Sequence, residues 1–160
     1  MKDRLDLRGG LVLRVTDRAG RLVDERRHRN RIVTSGRFLI AELFSEATSP
    51  PGPISHIGVG TDGEAPADDQ EQLLSQRGER REISGLELER FDEGTDSDDE
   101  VSRVRVHLSA VFDFDEVNGD EPLREAASFN ENGTMYNRVV FEPVTKTYAF
   151  KLTLLWEVVF

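Results

Sequence analysis

The chain contains no cysteine in 160 residues. That absence removes disulfides, thiolate metal sites and cysteine nucleophiles together, and leaves stability to packing or to contacts between subunits. Histidine is scarce: His28, His56 and His107 are the only three, far apart and without the H-x-x-x-H spacing of a zinc helix. No apolar run approaches the length of a membrane span, so none is expected. The opening Met1–Asp6 lacks the apolar stretch of a secretory signal, and the expectation is of a protein made in the cytoplasm. Basic residues are outnumbered, 21 against 31 acidic, for a formal net charge of -10. Such a balance opposes binding to nucleic-acid backbone, which needs a basic footprint.

What the chain does have is alternation. Over Tyr148–Phe160 the even positions Tyr148, Phe150, Leu152, Leu154, Trp156, Val158 and Phe160 are all apolar, which in a β-strand puts seven side chains on one face. Val101–Phe114 alternates likewise, with Val104, Val106, Leu108, Ala110, Phe112 and Phe114 on one face, and is the natural sheet partner of the last strand. Gly10–Arg27 reads as an edge hairpin around the turn Asp17-Arg-Ala-Gly20. Ile54–Gly60, Arg80–Phe91, Leu123–Phe129 and Thr134–Phe141 complete the strands, with Glu131-Asn-Gly133 as a tight turn. Asn132-Gly-Thr134 is formally a glycosylation sequon, but it reads as part of that turn.

Between Ile83 and Leu86 the apolar positions change parity across Gly85, which predicts a β-bulge there. One helix is expected over Gly36–Phe44, capped by Thr34 or Ser35 and packing through Phe38, Leu39, Leu43 and Phe44. Asp68–Leu74 is expected to make one further helical turn. The fold class is therefore mainly β: an antiparallel, jelly-roll-like β-sandwich with one short helix. It forms a single domain over 1–160, with a basic hairpin or arm at 1–30, a sandwich core at 31–160 and an acidic loop at 92–100.

Catalytic signals are weak. Gly58-Val-Gly-Thr-Asp-Gly63 matches the G-x-G-x-x-G dinucleotide fingerprint, but Glu64-Ala-Pro66 continues as loop where a phosphate-binding helix is required. The glycines read instead as turn residues free to adopt positive φ. No G-x-S-x-G elbow is present. Asp113, Asp115 and Glu125 are the carboxylates an acid–base pair would draw on, and nothing in their spacing singles them out. The run Asp92–Glu100 has oxygen ligands for calcium but not EF-hand spacing. No enzyme activity, metal or cofactor is expected.

Charge is unevenly placed. Arg26, Arg27, Arg29 and Arg31 lie in a basic stretch, and Asp96, Asp98 and Asp99 in an acidic one; together they form the candidate interface. They fit either head-to-tail docking of copies or partners, or two solvated faces of one domain.

Read as a series, several motifs resemble a family. They are Arg31-Ile-Val-Thr-Ser-Gly-Arg37, Ile54-Ser-His-Ile-Gly-Val-Gly-Thr-Asp-Gly-Glu-Ala-Pro66, Asn118-Gly, Pro122-Leu-Arg-Glu-Ala126, Gly133-Thr-Met-Tyr-Asn-Arg-Val-Val-Phe141, Pro143-Val-Thr-Lys146 and Leu152-Thr-Leu-Leu-Trp-Glu-Val-Val-Phe160. In that order the stretch Asn30–Phe160 resembles small tail-fibre, collar or baseplate-associated proteins of tailed phages, prophages and phage-tail-like contractile injection systems. Ala127-Ser-Phe129 departs from the Gly-Leu-Phe usual there. The resemblance implies a structural, non-enzymatic component that links tail or baseplate to fibre or neighbouring subunits. It also implies a homo-oligomer, trimer or ring, with other tail, baseplate or fibre proteins as partners, assembled into a virion or an injection particle. The alternative from a different class is a carbohydrate or surface-receptor binding module, with exposed Tyr136, Asn137 or loop acids as contacts.

Overall fold

A computed structural model of the chain describes residues 7–45, 50–94 and 101–160. In chain order the elements are β1 (Arg8–Asp17), β2 (Leu22–Arg29), β3 (Arg31–Ile32), α1 (Thr34–Glu42), β4 (Ile54–Gly60), β5 (Arg81–Glu82), β6 (Gly85–Glu93), β7 (Val101–Phe112), β8 (Leu123–Asn130), β9 (Met135–Val144) and β10 (Phe150–Val159). They form two antiparallel sheets, β2-β1-β10-β7-β6 (sheet A) and β3-β9-β8-β4-β5 (sheet B). The fold is the mainly-β sandwich with one short helix that the alternation predicts. Its pairs nest: β1 with β10, β3 with β9, β4 with β8, and β6 with β7. The chain thus winds as one long hairpin, which is the jelly-roll-like aspect of the fold.

Leu152, Leu154, Trp156 and Val158 are buried on the core face of β10, which lies between β1 and β7 at the centre of sheet A. The predicted thirteen-residue strand is shorter in the structure. Phe150 N–H bonds to Thr147 O at 3.0 Å, closing a turn that leaves Tyr148 outside the strand and exposed. The first hairpin forms as expected: the Asp17 carboxylate accepts from the Ala19 and Arg21 N–H groups, and Gly20 takes φ 76°. Leu11, Leu13 and Val15 of β1, Leu108, Ala110 and Phe112 of β7, and Ile57, Val59, Val139 and Phe141 of sheet B share one core with β10.

Three local expectations are corrected. The parity change at Gly85 is no bulge; the chain leaves sheet B after β5 and enters sheet A at β6. Ile83 N–H still bonds Ser55 O of sheet B, while Ser84 N–H bonds Ser109 O of sheet A. The residues 68–74 make turns and bends rather than a helical turn. Finally, α1 begins at Thr34 after Val33 and has no side-chain cap. Ser35 Oγ donates instead to Met135 O at 2.7 Å, and Gly36 lies so close to β9 that a Cβ there would overlap Tyr136 O. Held at this angle, the helix buries Gly36 and, of its expected packing face, Leu39 alone; Phe38, Leu43 and Phe44 are exposed.

Sheet B is covered on both sides. Its core face meets sheet A, and the segment 61–80 together with α1 lies over the other, so β8 and β9 bury nearly every residue. A polar chain also crosses the core. Asn137 Oδ1 accepts from Ser128 Oγ at 2.6 Å. Asn30, at the crossover from β2 to β3, turns its amide oxygen to Asn137 Nδ2 and Trp156 Nε1 and donates to Gly9 O. Every polar group in that chain finds a partner, as burial demands.

Candidate functional site

The cross-strand register locates a face that the fold leaves open. Leu86 stands opposite Leu108, which stands opposite Trp156; Leu88 stands opposite Val106, then Val158. Residues directly opposite in an antiparallel ladder share a face, so Leu86 and Leu88 point to the core side of sheet A. Sheet B ends at the two-residue β5 and does not reach over the nine-residue β6. Leu86 is therefore 65% exposed and Leu88 66%, and the strip continues to Val104 and Phe160, which are also exposed. β6 is the edge of its sheet. On its other face Glu89 pairs with Arg105 at 3.1 Å, and Glu93 with Arg8 at 2.6 Å and Arg103 at 3.3 Å.

The predicted basic interface is dispersed. Along β2 the side chains alternate, and Arg26 turns inward: its Nη1 donates to Glu142 O at 2.6 Å and Pro143 O at 3.0 Å, tying the edge of sheet A to β9. Arg26 is thereby spent on the fold. Arg27 pairs with Glu25 at 3.1 Å, and Arg31 with Asp68 at 2.8 Å. The Arg31 guanidinium holds the Asp68 carboxyl below the usual carboxylate range. Arg29 is exposed and has no carboxylate partner among the described residues. Asp96, Asp98 and Asp99 lie outside the described residues. Most of these arginines are matched within the chain, as two solvated faces would have them.

Of the carboxylates an acid–base pair would draw on, Asp113 and Asp115 both lie near Lys146 after β7, and Glu125 is not brought to them. The Asp113 carboxylate accepts from Phe114 N–H at 2.7 Å, which holds it below its usual range. Beside it Lys146 is buried, donating to Asp113 O at 2.8 Å and Asn118 Oδ1 at 3.0 Å, and burial pushes its amine below the ordinary lysine value. The Pro143–Lys146 motif thus clamps the loop after β7.

Glu125 lies elsewhere, fully buried on sheet B, where it accepts from Arg138 Nε at 2.8 Å, Ser75 N–H at 2.7 Å and Leu74 N–H at 3.1 Å. Arg138, also fully buried, donates to Glu64 O at 2.8 Å and Gln70 Oε1 at 3.1 Å. The pair straps the segment 64–75 onto sheet B, a role for which sequence reading had assigned no partner. The glycines of the G-x-G match serve the same strap. Neither Gly58 nor Gly60 has positive φ, correcting the turn reading. A Cβ on Gly60 would overlap both Glu125 Oε1 and Ser75 O, and one on Gly58 would lie 2.9 Å from Leu73 Cδ1.

Two contacts imagined for a glycan surface are also corrected: Tyr136 is buried, and burial pushes its phenol up to about 12, while Asn137 is part of the inner polar chain. Among the described residues no group of three or more histidines and carboxylates is placed to hold a metal ion, and no helix is long and apolar enough to cross a membrane. Against known protein families, curated proteins and solved structures, the chain finds no match.

Proposed function

We propose that this chain is a structural, non-enzymatic subunit of a phage tail or phage-tail-like contractile injection particle, where it assembles with copies of itself and links tail or baseplate to fibre or neighbouring subunits. The observation that carries an assembly role is the open strip of Leu86, Leu88, Val104 and Phe160, in register with the buried core yet bare at a sheet edge. Apolar surface of this kind marks an interaction site, and a second copy of the chain is its occupant, since most assemblies repeat one subunit about a closed symmetry. The type of particle rests on the resemblance over Asn30–Phe160.

Light scattering on the purified chain over a wide concentration range tests the reading. A constant multiple of 18.1 kDa is expected, with the double variant Leu86→Lys, Leu88→Lys falling to a monomer that keeps its circular dichroism. A wild-type monomer at every concentration and salt would reject self-assembly and turn the question to receptor binding.

A further inference from the structure

Five elements deliver one arginine each to a single cleft: Arg8 from β1, Arg29 from β2, Arg31 from β3, Arg37 from α1 and Arg105 from β7. Residues this far apart in sequence converge only through the fold. The cleft encloses about 800 Å³ and is open to solvent on one side. Among the described residues Glu93 and Glu157 are the only carboxylates on its lining, so cations outnumber anions here in a chain of formal net charge -10. Within the cleft Arg8 pairs with Glu93, and Arg105 with Glu89 and Glu157, yet Arg29 has no such partner among the described residues. Arg105 is stacked over the Phe91 ring at 4.1 Å, and its buried Nε makes no aligned hydrogen bond although Glu157 Oε2 lies 3.2 Å away. Arg31 and Arg37 share the single carboxylate of Asp68, which leaves guanidinium donors over.

We propose that this cleft binds a small anion carrying two or more phosphate or carboxylate groups. The guanidinium fork matches both groups in bidentate fashion and stays charged when water is displaced. Several forks from separate elements suit several anionic groups rather than one. The volume is that of a small-ligand site. A long polyanion would meet Glu93 and Glu157 at the cleft and the negative field of the whole chain beyond it. An anion spanning Arg29 and Arg105 on sheet A and Arg31 on sheet B would also cross-link the two sheets. The site lies apart from the open strip of β6 and does not depend on the assembly reading.

The test is calorimetric titration of the full chain at low ionic strength with inorganic tripolyphosphate and, separately, with citrate. Saturable one-site binding is expected, and the tighter probe names the anionic group. Arg29→Glu should weaken binding at least about tenfold, as expected for loss of a charge-assisted pair. Arg27→Glu, two residues along the same outward face and equal in charge change, should weaken it by no more than about twofold because it reaches the cleft only through screened solvent. Arg29→Ala gives a gentler form of the same test, and circular dichroism checks that each variant folds. Failure of both probes to saturate below millimolar concentration, or equal weakening by both reversals, would overturn the site.

Discussion

The two sheets of this protein are covered to very different extents. Sheet B is covered so thoroughly that even charged residues lie at zero exposure, whereas sheet A leaves two leucines of its core face in water. On sheet B a strap passes over glycines and is fixed by an ion pair whose oxygens and nitrogens are bonded to backbone as well as to each other. On sheet A no described element covers β6, because β5 is two residues long. The difference teaches where the fold is finished: what is closed is closed by a buried ion pair bonded to the backbone of the strap, and what is open carries apolar side chains that tolerate change.

The largest expected effect comes from breaking the fastener. Glu125→Ala leaves Arg138 charged and buried, and should cost about 3–5 kcal/mol in urea unfolding. Replacing both partners, Glu125→Leu with Arg138→Met, should recover most of that loss; no recovery would show that the backbone bonds to Ser75 and Leu74 matter more than the charge. Next is Gly60→Ala, whose methyl would meet Glu125 and Ser75 and should cost about 1–3 kcal/mol by overpacking, with faster proteolysis within 64–75 as a second readout. On the open side, Leu86→Lys and Leu88→Lys should each change monomer stability by no more than about 0.5 kcal/mol. A loss near that of a buried leucine would show that the strip is covered within one chain and erase the comparison.

The smallest effect concerns His28, opposite Leu11 at the β2 edge of the covered core. Burial lowers its affinity for a proton below the ordinary value of 6.5. The unfolded chain then binds the proton more readily, so stability should fall as pH drops below about 6.5 and level off once the folded histidine titrates. His28→Gln should remove that part of the pH dependence; an unchanged difference between pH 7 and pH 5.5 would count against it.

Much of this fold was legible because a strand with one buried face writes period two into the chain. β7 and β10 are such strands, and their pairing followed. β8 and β9 are buried on both faces, which erases the alternation, and the charges within them looked like surface residues. The readable sign was Glu125 followed by Ala126-Ala-Ser128, too small and apolar for an exposed strand, with Arg138 set in an equally unbroken run. Gly85 misled because a change of sheet and a bulge shift parity alike. The helix misled because its apolar residues were assumed to face inward, while close packing at Gly36 fixes an orientation that exposes three of them. Of the candidate interface, the basic stretch was visible but its internal pairing was not, since Asp68, Glu142 and Pro143 reach it only through the fold.

The nesting of the strands also sets a timetable. β10 is central to sheet A and pairs Val159 with Arg8 and Phe150 with Asp17, so the hairpin of β1 and β2 must wait for residues more than a hundred positions downstream. A ribosome moving at about 5–20 residues per second leaves that hairpin without its partner for several seconds. Throughout that interval Leu11, Leu13 and Val15 lack the central strand they lie beside, and long-range pairing of this kind is slow even in the finished chain. The arginines along β2 then gain a second role: they keep the nascent hairpin charged, and apart from its neighbours on the polysome, until the strand that buries it is made.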